Sequence, residues 1–564
     1  MTFGDKDLPP YEPRRILSAP FAEKVRLVCR MWAAQVAPNP PIVLVMYWLK
    51  YILFFAGGWA FFASFSQNYP GFWSGQWVFT DVAFQKAIIW ALFYEVIGLG
   101  CASGPMNARF NPPIGGLLYF LRPGTTKMPL SNRIPLIGGI QRNWFDVLLF
   151  AALMVSLLRA LVAPAVTPEL VLPTVILVAV FALTDKTVFL AARAEHYWVV
   201  LVGLAFATGA GLWVSVSKAV WCAIWFWAAT SKLNHHFPSV IMFMVNNGPL
   251  APKWFKKKLF VDYIGDLRPS TFAKFIAHSG TFVEYMIPVI LLSSDGGMLT
   301  LFGLVLMAGF HSFIGANNPS GMPVEWNILM IYGGIFLFGY HAEVGVLPIG
   351  SIPLLAFFVS LWTFAIPCFG NFFPANVSFL LSMRYYAGNW AYNIWLVRPE
   401  AMHKFDKLTK PAGTMRQQLQ KMLDDEEQVE MGLAMSLAHR FLHIEGRPLL
   451  EALPRAVDDI EQYEWMEGEV LGGSIIGWNF GDGHLNSTQL LHAVQAQCDF
   501  EEGEVRVVVV ESQPLFGSTM SWRVIDARTG LHAAGRTEIS HMLEVTPYPT
   551  GKYAEALKVG SGWL

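Results

Sequence analysis

Residues 218–237 read Lys218-Ala-Val-Trp-Cys-Ala-Ile-Trp-Phe-Trp-Ala-Ala-Thr-Ser-Lys232-Leu-Asn-His-His-Phe237. No charge separates the two lysines, and tryptophans stand at 221, 225 and 227. A helix of this composition is apolar all round, which marks a buried or membrane-embedded element. The lysines lie 14 residues apart (232 − 218). That is close to four helical turns, so Lys218, Trp225 and Lys232 share one face over about 21 Å. Two readings follow. Either both lysines snorkel toward opposite membrane surfaces, or Lys232 is held among aromatic rings. Low dielectric there disfavours the ammonium form, and a neutral amine is a base. Asn234, His235 and His236 add polar groups at the same helix end.

Composition extends this reading to the whole chain. Of its 564 residues 54% are hydrophobic and only 14% charged, against about 25% charged for a globular protein. The mean hydropathy is +0.41. Uncharged runs at 197–217, 296–317 (apart from His311) and 344–383 are each long enough to cross a bilayer. Segments 42–65, 84–102, 144–163, 169–185, 197–216, 216–232, 276–294, 298–317, 325–341 and 350–370 are the expected spans. The expected fold is therefore an all-α polytopic membrane bundle of about nine to eleven helices, followed by a soluble α+β region. The stretch 197–232 would be about 54 Å long as one helix, and Gly209-Ala-Gly211 is its natural break.

Lysine and arginine set the expected orientation. Residues 1–40 carry Lys6, Arg14, Arg15, Lys24, Arg26 and Arg30, whereas loop 66–83 carries neither residue type. Loops 103–142 and 233–275 are basic again. That bias places the N-terminal segment 1–40 and the basic loops in the cytoplasm, with the C-terminal region expected on the same side; a bacterial inner membrane is what the resemblance given below implies. Residues 1–40 have no apolar core of the signal-peptide kind. Cysteines 29, 101, 222, 368 and 498 form no paired spacing, so neither a disulfide framework nor a cysteine metal site is expected. The near-neutral charge of −1 says little about partners, and nucleic acid is not expected among them.

The transmembrane region is expected over 41–397 and the soluble α+β domain over 400–564. Residues 414–445 read as helix, 507–510 and 519–525 as strands, and 526–530 as a turn. The apolar segment 376–397, with Arg384 and Tyr385-Tyr386, is expected along the membrane interface or lining a cavity. His439 and His443 share a helical face, but nothing completes a metal site around them. The Gly/Pro-rich stretch 100–116 reads either as a re-entrant lip or as an ordinary loop. No P-loop, Rossmann glycine pattern, Gly-x-Ser-x-Gly elbow or His-Glu-x-x-His helix is present, which disfavours nucleotide, hydrolase and zincin chemistry.

Ionisable groups inside apolar runs are the strongest functional candidates, because burying them is costly. They are Lys232, His196, His311 and Glu284 as catalytic residues, with Trp221, Trp225, Asn234, His235 and His278 as substrate-binding residues. The bland alternative is that each polar group only bridges neighbouring helices.

Residues 180–335 resemble the vitamin K-dependent gamma-carboxylase and its bacterial relatives, the horizontally transferred transmembrane domain family. The resemblance rests on Ser231-Lys232-Leu-Asn234, on Asp185-Lys-Thr followed by His196 and Tyr197, on His278-Ser-Gly with Glu284, and on Phe310-His311 followed by Gly321-Met-Pro323. It implies a membrane cavity that binds a reduced quinone or another lipid-like molecule, with Lys232 as general base. No region that would bind a carboxylase propeptide is recognisable. Membrane lipids, a quinone or other membrane proteins are the expected partners. The other reading is a lipid or quinone carrier, or a scaffold that anchors the C-terminal domain.

Overall fold

The computed structural model describes residues 12–34, 45, 48–100, 115–135, 137–207, 209, 211–248, 251–317, 324–478 and 480–559. Apolar runs become helices, labelled in chain order. After α1 (Phe21–Ala34) come α2 (Lys50–Ala63), α3 (Asp81–Val96), α4 (Trp144–Val162), α5 (Pro168–Thr184), α6 (Tyr197–Phe206) and α7 (Leu212–Ser231). They are followed by α8 (Phe237–Asn247), α9 (Thr271–Leu292), α10 (Gly297–Gly315), α11 (Val324–Gly334) and α12 (Pro353–Phe372). Where the sequence supplies a cap, the helix starts there. Asn143 and Asp146 form a reciprocal capping box at α4, and the Ser270 hydroxyl accepts from the Ala273 amide at α9.

Among the described residues five helices, α4, α7, α9, α10 and α12, are long and apolar enough to cross a membrane. The other expected spans are helical but shorter. Trp144 and Leu148 on α4, Phe282 and Val289 on α9, Phe302 and Val305 on α10, and Leu354 and Phe357 on α12 turn outward. Large side chains exposed in this way form a lipid-facing surface. α7 differs, with 78% of its apolar window inside the bundle. The break expected at Gly209-Ala-Gly211 separates α6 from α7, with Gly211 at φ +78°. The two helices then pack closely. A Cβ on Gly203 would lie 2.8 Å from Val216.

Loop contacts sort the helix ends into two sets. Gln67 bonds Pro164, Tyr332 bonds Val78 and His341 faces Asp81, so these turns share one end of the bundle. At the opposite end Tyr119 bonds Ser474, Arg142 bonds Ile476 and Lys186 bonds Gln489, which docks the C-terminal region there. Loop 66–83 and the basic stretch 115–142 thus lie at opposite ends.

A short hairpin, β1 (Phe260–Asp262) with β2 (Asp266–Pro269), precedes α9. The C-terminal region holds β3 (Tyr392–Val397), β4 (Glu464–Glu467), β5 (Val505–Val510), β6 (Thr519–Asp526) and β7 (Gly530–Glu538). They form one antiparallel sheet in the order β4-β3-β5-β6-β7. Helices α13 (Glu426–Leu442), α14 (Leu449–Ala456), α15 (Gly468–Ile476) and α16 (Thr488–Cys498) cover it. The strands expected at 507–510 and 519–525 lie within β5 and β6.

The segment 376–397 is neither interfacial helix nor cavity lining along its length, because its last part is the buried strand β3. Tyr-Asn-Ile-Trp-Leu-Val is aromatic and branched, and its alternation decides the outcome. Trp395 and Val397 enter the apolar cluster of the membrane helices, while Tyr392, Ile394 and Leu396 enter a second cluster with α1, α8 and α14. Val507 and Val509 of β5 face the first cluster, Val508 and Val510 the second. The sheet is therefore covered on both faces, and its strand β3 lies ahead of the composition change at 400.

Candidate functional site

At the C-terminal cap of α7, Lys232 Nζ donates to Glu284 Oε2 of α9 across 2.5 Å. Both side chains are only 4% exposed. The rings of Phe237 and Phe310 each lie 5.3 Å from Nζ. Lys218, one helix length away, is capped by the carbonyls of His341 at 2.8 Å and Val344 at 2.5 Å. Lys232 is thus held by a carboxylate within the bundle, and Lys218 by carbonyls of the turn after α11.

His311 of α10 sits nearby with both ring nitrogens engaged. Trp225 Nε1 donates to its Nε2 at 2.9 Å, and its Nδ1 lies 3.0 Å from Asn327 Oδ1 on α11. An indole only donates, so Nε2 is the acceptor and Nδ1 carries the proton toward Asn327. Trp221 packs on Phe84 at 5.9 Å and against Gly333, where a Cβ would meet its ring at 2.3 Å. Tyr285 of α9 donates to Thr230, closing the seam between α7 and α9.

Asn234 has a different role. Its Nδ2 donates to the Gln513 carbonyl at 3.2 Å and its Oδ1 accepts from the Phe516 amide at 3.0 Å, which ties the end of α7 to the loop after β5. His235 and His278 are exposed and stand apart from the buried groups. Gly321-Met-Pro323 and residues 101–114 lie outside the described residues.

His196 belongs to a second group. Its ring lies 4.1 Å from Trp326 and 4.2 Å from Tyr197, and its Nδ1 is 3.3 Å from Glu195. Arg193 reaches Glu95 at 3.4 Å and Glu195 at 3.6 Å. Trp326, Tyr385 and Phe480 cover its guanidinium at 5.6, 5.0 and 5.1 Å. α11 joins the two groups: Asn327 serves His311, and Trp326 serves His196 and Arg193. Sequence reading missed Arg193, Glu95, Glu325 and Asn327. The signal was available, since Glu95 stands in the apolar run Ala91-Leu-Phe-Tyr-Glu-Val-Ile97.

A third polar group lies in the C-terminal region. His484 Nε2 faces Glu511 at 3.0 Å and its Nδ1 faces Asp482 at 3.4 Å, while Ser378 bonds Asp482. Burial opposes the charge on Glu511, but His484 and Arg384 outweigh it and hold the carboxyl down at about 2. Burial alone would lower His484, yet Glu511 and Asp482 raise it above 6.5. By contrast Glu445, buried in the same region, is pushed up to about 8 by desolvation.

Among the described residues, α2, α3 and α11 border a small apolar cleft whose closed space is about 20 Å³. Phe55, Trp59, Trp90, Ile328, Leu329 and Tyr332 line it. The polar tips of its walls are all spent on backbone. Trp59 donates to Ala83 and Trp90 to Phe55, each at 2.9 Å, and Tyr332 donates to Val78 at 2.7 Å.

No curated protein and no solved structure matches the chain. The comparisons lend no support to the carboxylase-like resemblance over 180–335; the match they do give runs over residues 1–556. On that match the chain belongs to DUF3556, a family described as transmembrane protein of unknown function.

Proposed function

We propose that the protein binds a lipid-soluble molecule inside its helical bundle, in the cleft between α2, α3 and α11. The observation that carries this reading is the wall chemistry. With every indole N–H and the Tyr332 hydroxyl turned to backbone carbonyls, only ring faces and aliphatic groups meet an occupant. An apolar body suits such a lining and water does not. The closed space is small, about 20 Å³, against roughly 300–1,000 Å³ for drug-sized sites, so an occupant enters only by spreading the side chains that line it. As it stands it takes a chain methyl or the edge of a ring, with the rest of the molecule in the bilayer. A quinone-class or isoprenoid lipid satisfies these limits.

The test is mass spectrometry of lipids retained through purification in mild detergent. The wild type is expected to hold an isoprenoid, quinone or other apolar lipid. Ile328→Trp, which fills the cleft, should lose it. Equal retention by both proteins, or retention by neither, would overturn the reading.

A second reading, independent of the cleft, makes Lys232 a general base toward a lipid-soluble substrate. Its support is the buried pair: moving one proton from Nζ to Glu284 Oε2 leaves a neutral amine and a neutral acid, with aromatic rings on two sides. Lys232→Arg keeps the pair but cannot surrender a proton. Loss of complementation in a deletion strain, with expression and lipid retention intact, favours a base. Full complementation leaves Lys232 an ion-pair partner.

A further inference from the structure

Helix α9 carries a stripe of exposed apolar side chains. Phe275, Phe282 and Val289 are 69%, 65% and 57% exposed. Spaced by two turns each, they share one face over about 21 Å. This lipid-facing stripe begins at Phe275, and Lys274 is exposed beside it. What precedes it is basic. Residues 251–275 hold Lys253, Lys256, Lys257, Lys258, Arg268 and Lys274 against Asp262 and Asp266, a net charge of +4 (6 − 2). Arg268 and Asp266 pair with each other at 2.6 Å, so the surplus belongs to the lysines. The turn 293–296 at the other end of α9 carries Asp295 and no basic residue.

The lysines are fixed beside the first turn of α9. The short helix Lys253–Lys257 packs Phe255 edge-on against Phe272 at 5.3 Å. The Ser270 amide donates to the Leu259 carbonyl at 2.9 Å, and its hydroxyl donates to the Lys258 carbonyl at 2.5 Å. Phe255 thus faces inward and Lys256 is buried, while Lys253, Trp254 and Lys258 are exposed. Lys258 Nζ lies 5.3 Å from the Trp254 ring. A tryptophan and several lysines level with the end of a lipid-facing stripe match the chemistry of the head-group zone. The hairpin β1-β2 joins this segment to the C-terminal region. Arg268 donates to the Glu544 carbonyl and Tyr548 to the Gly265 carbonyl, each at 2.9 Å.

We infer that residues 251–275 form a binding surface for anionic phospholipids in the leaflet next to the C-terminal region. Trp254 and Phe275 enter the boundary between acyl chains and head groups, and Lys253, Lys257, Lys258 and Lys274 receive the phosphodiesters. The bilayer is the occupant rather than a soluble acidic partner, because the basic groups continue directly from the stripe of α9 that lies in lipid. This surface is independent of the cleft and of the Lys232–Glu284 pair.

The test places the full-length protein in nanodiscs of equimolar phosphatidylglycerol and phosphatidylcholine, then transfers it to mild detergent. Mass spectrometry counts the lipids it keeps. Wild type should retain phosphatidylglycerol over phosphatidylcholine by at least about tenfold, the scale of two or more lysines at an anionic surface. Lys253→Gln, Lys257→Gln, Lys258→Gln and Lys274→Gln combined should bring the ratio close to one. Washing wild type with about 1 M salt, where the Debye length is about 3 Å, should do the same. A ratio near one in wild type, or a preference that the four substitutions leave intact, overturns the assignment. Should the combined variant fail to fold, Lys258→Gln with Lys274→Gln, both at exposed positions, should still lower the ratio at least about threefold. An unchanged ratio in that pair overturns it equally.

Discussion

Lys232 Nζ and Glu284 Oε2 meet at 2.5 Å, joining the cap of α7 to the middle of α9 across 52 residues of sequence. A pair so buried contributes little net stability compared with an apolar pair, but breaking one half strands a charge. Lys232→Met and Glu284→Gln are each expected to destabilise the detergent-solubilised protein by roughly 3–5 kcal/mol. Lys232→Met with Glu284→Leu should recover most of that. Thermal unfolding of the three variants is the measurement, and additive losses in the double variant would sink the idea.

The His484–Glu511 contact predicts a pH window. Glu511 is depressed from 4.5 to about 2, so its stabilisation is present above 4.5 and lost as pH falls toward 2. His484 is raised above 6.5, so its stabilisation is full below 6.5 and lost as pH rises through the raised value. Stability from this contact is greatest between 4.5 and 6.5. Melting curves from pH 4 to 9 should show an alkaline decline in the wild type that His484→Gln lacks. Identical alkaline limbs would count against it.

Asn234 and Asn389 grip one loop from two sides: both donate to the Gln513 carbonyl, while their side-chain oxygens accept from Phe516 and Gln513 respectively. Asn234→Ala leaves the part-buried Phe516 amide without its acceptor and the Gln513 carbonyl with Asn389 alone, a loss of about 1–3 kcal/mol. Hydrogen exchange across 511–518 should quicken while the helices stay protected. Unchanged exchange there would mean Asn389 alone holds the loop.

Gly333 allows α11 to approach Trp221, with a built Cβ only 2.3 Å from the indole. Because Trp221 is fully enclosed, Gly333→Ala should cost about 1–3 kcal/mol by overpacking. Adding Trp221→Phe should return part of the loss in a thermal-shift assay. A neutral single substitution would show that the helices can separate freely.

Much of the bundle was legible because uncharged runs and helix breaks are local. Gly209 and Gly211 ended α6 and began α7 where expected, and Val507–Val510 showed its strand. β3 was not legible. Its apolar hexapeptide has the same composition as a piece of membrane helix, and only its partners, over a hundred residues later at 505–510, make it a strand. The site was half legible for the same reason. Apolar context pointed to Lys232, Glu284, His311 and His196, but no spacing tells that His196 sits with Arg193 and Trp326 rather than with Lys232. Glu325, at the edge of the expected span 325–341, and Glu95, well inside the expected span 84–102, were passed over, although an acid in a span is itself the warning sign.

The interior position of β3 also governs how the chain is made. Residues 392–397 leave the last membrane helix early, yet their neighbours on one side, β5 to β7, are the last strands to be synthesised. Until residue 510 has emerged, an apolar strand with an open edge waits beside the bilayer, exposed to misassociation. A chain cut after 400 would therefore be expected to aggregate rather than to leave an intact membrane half, and the quality-control burden of this protein falls at the end of translation.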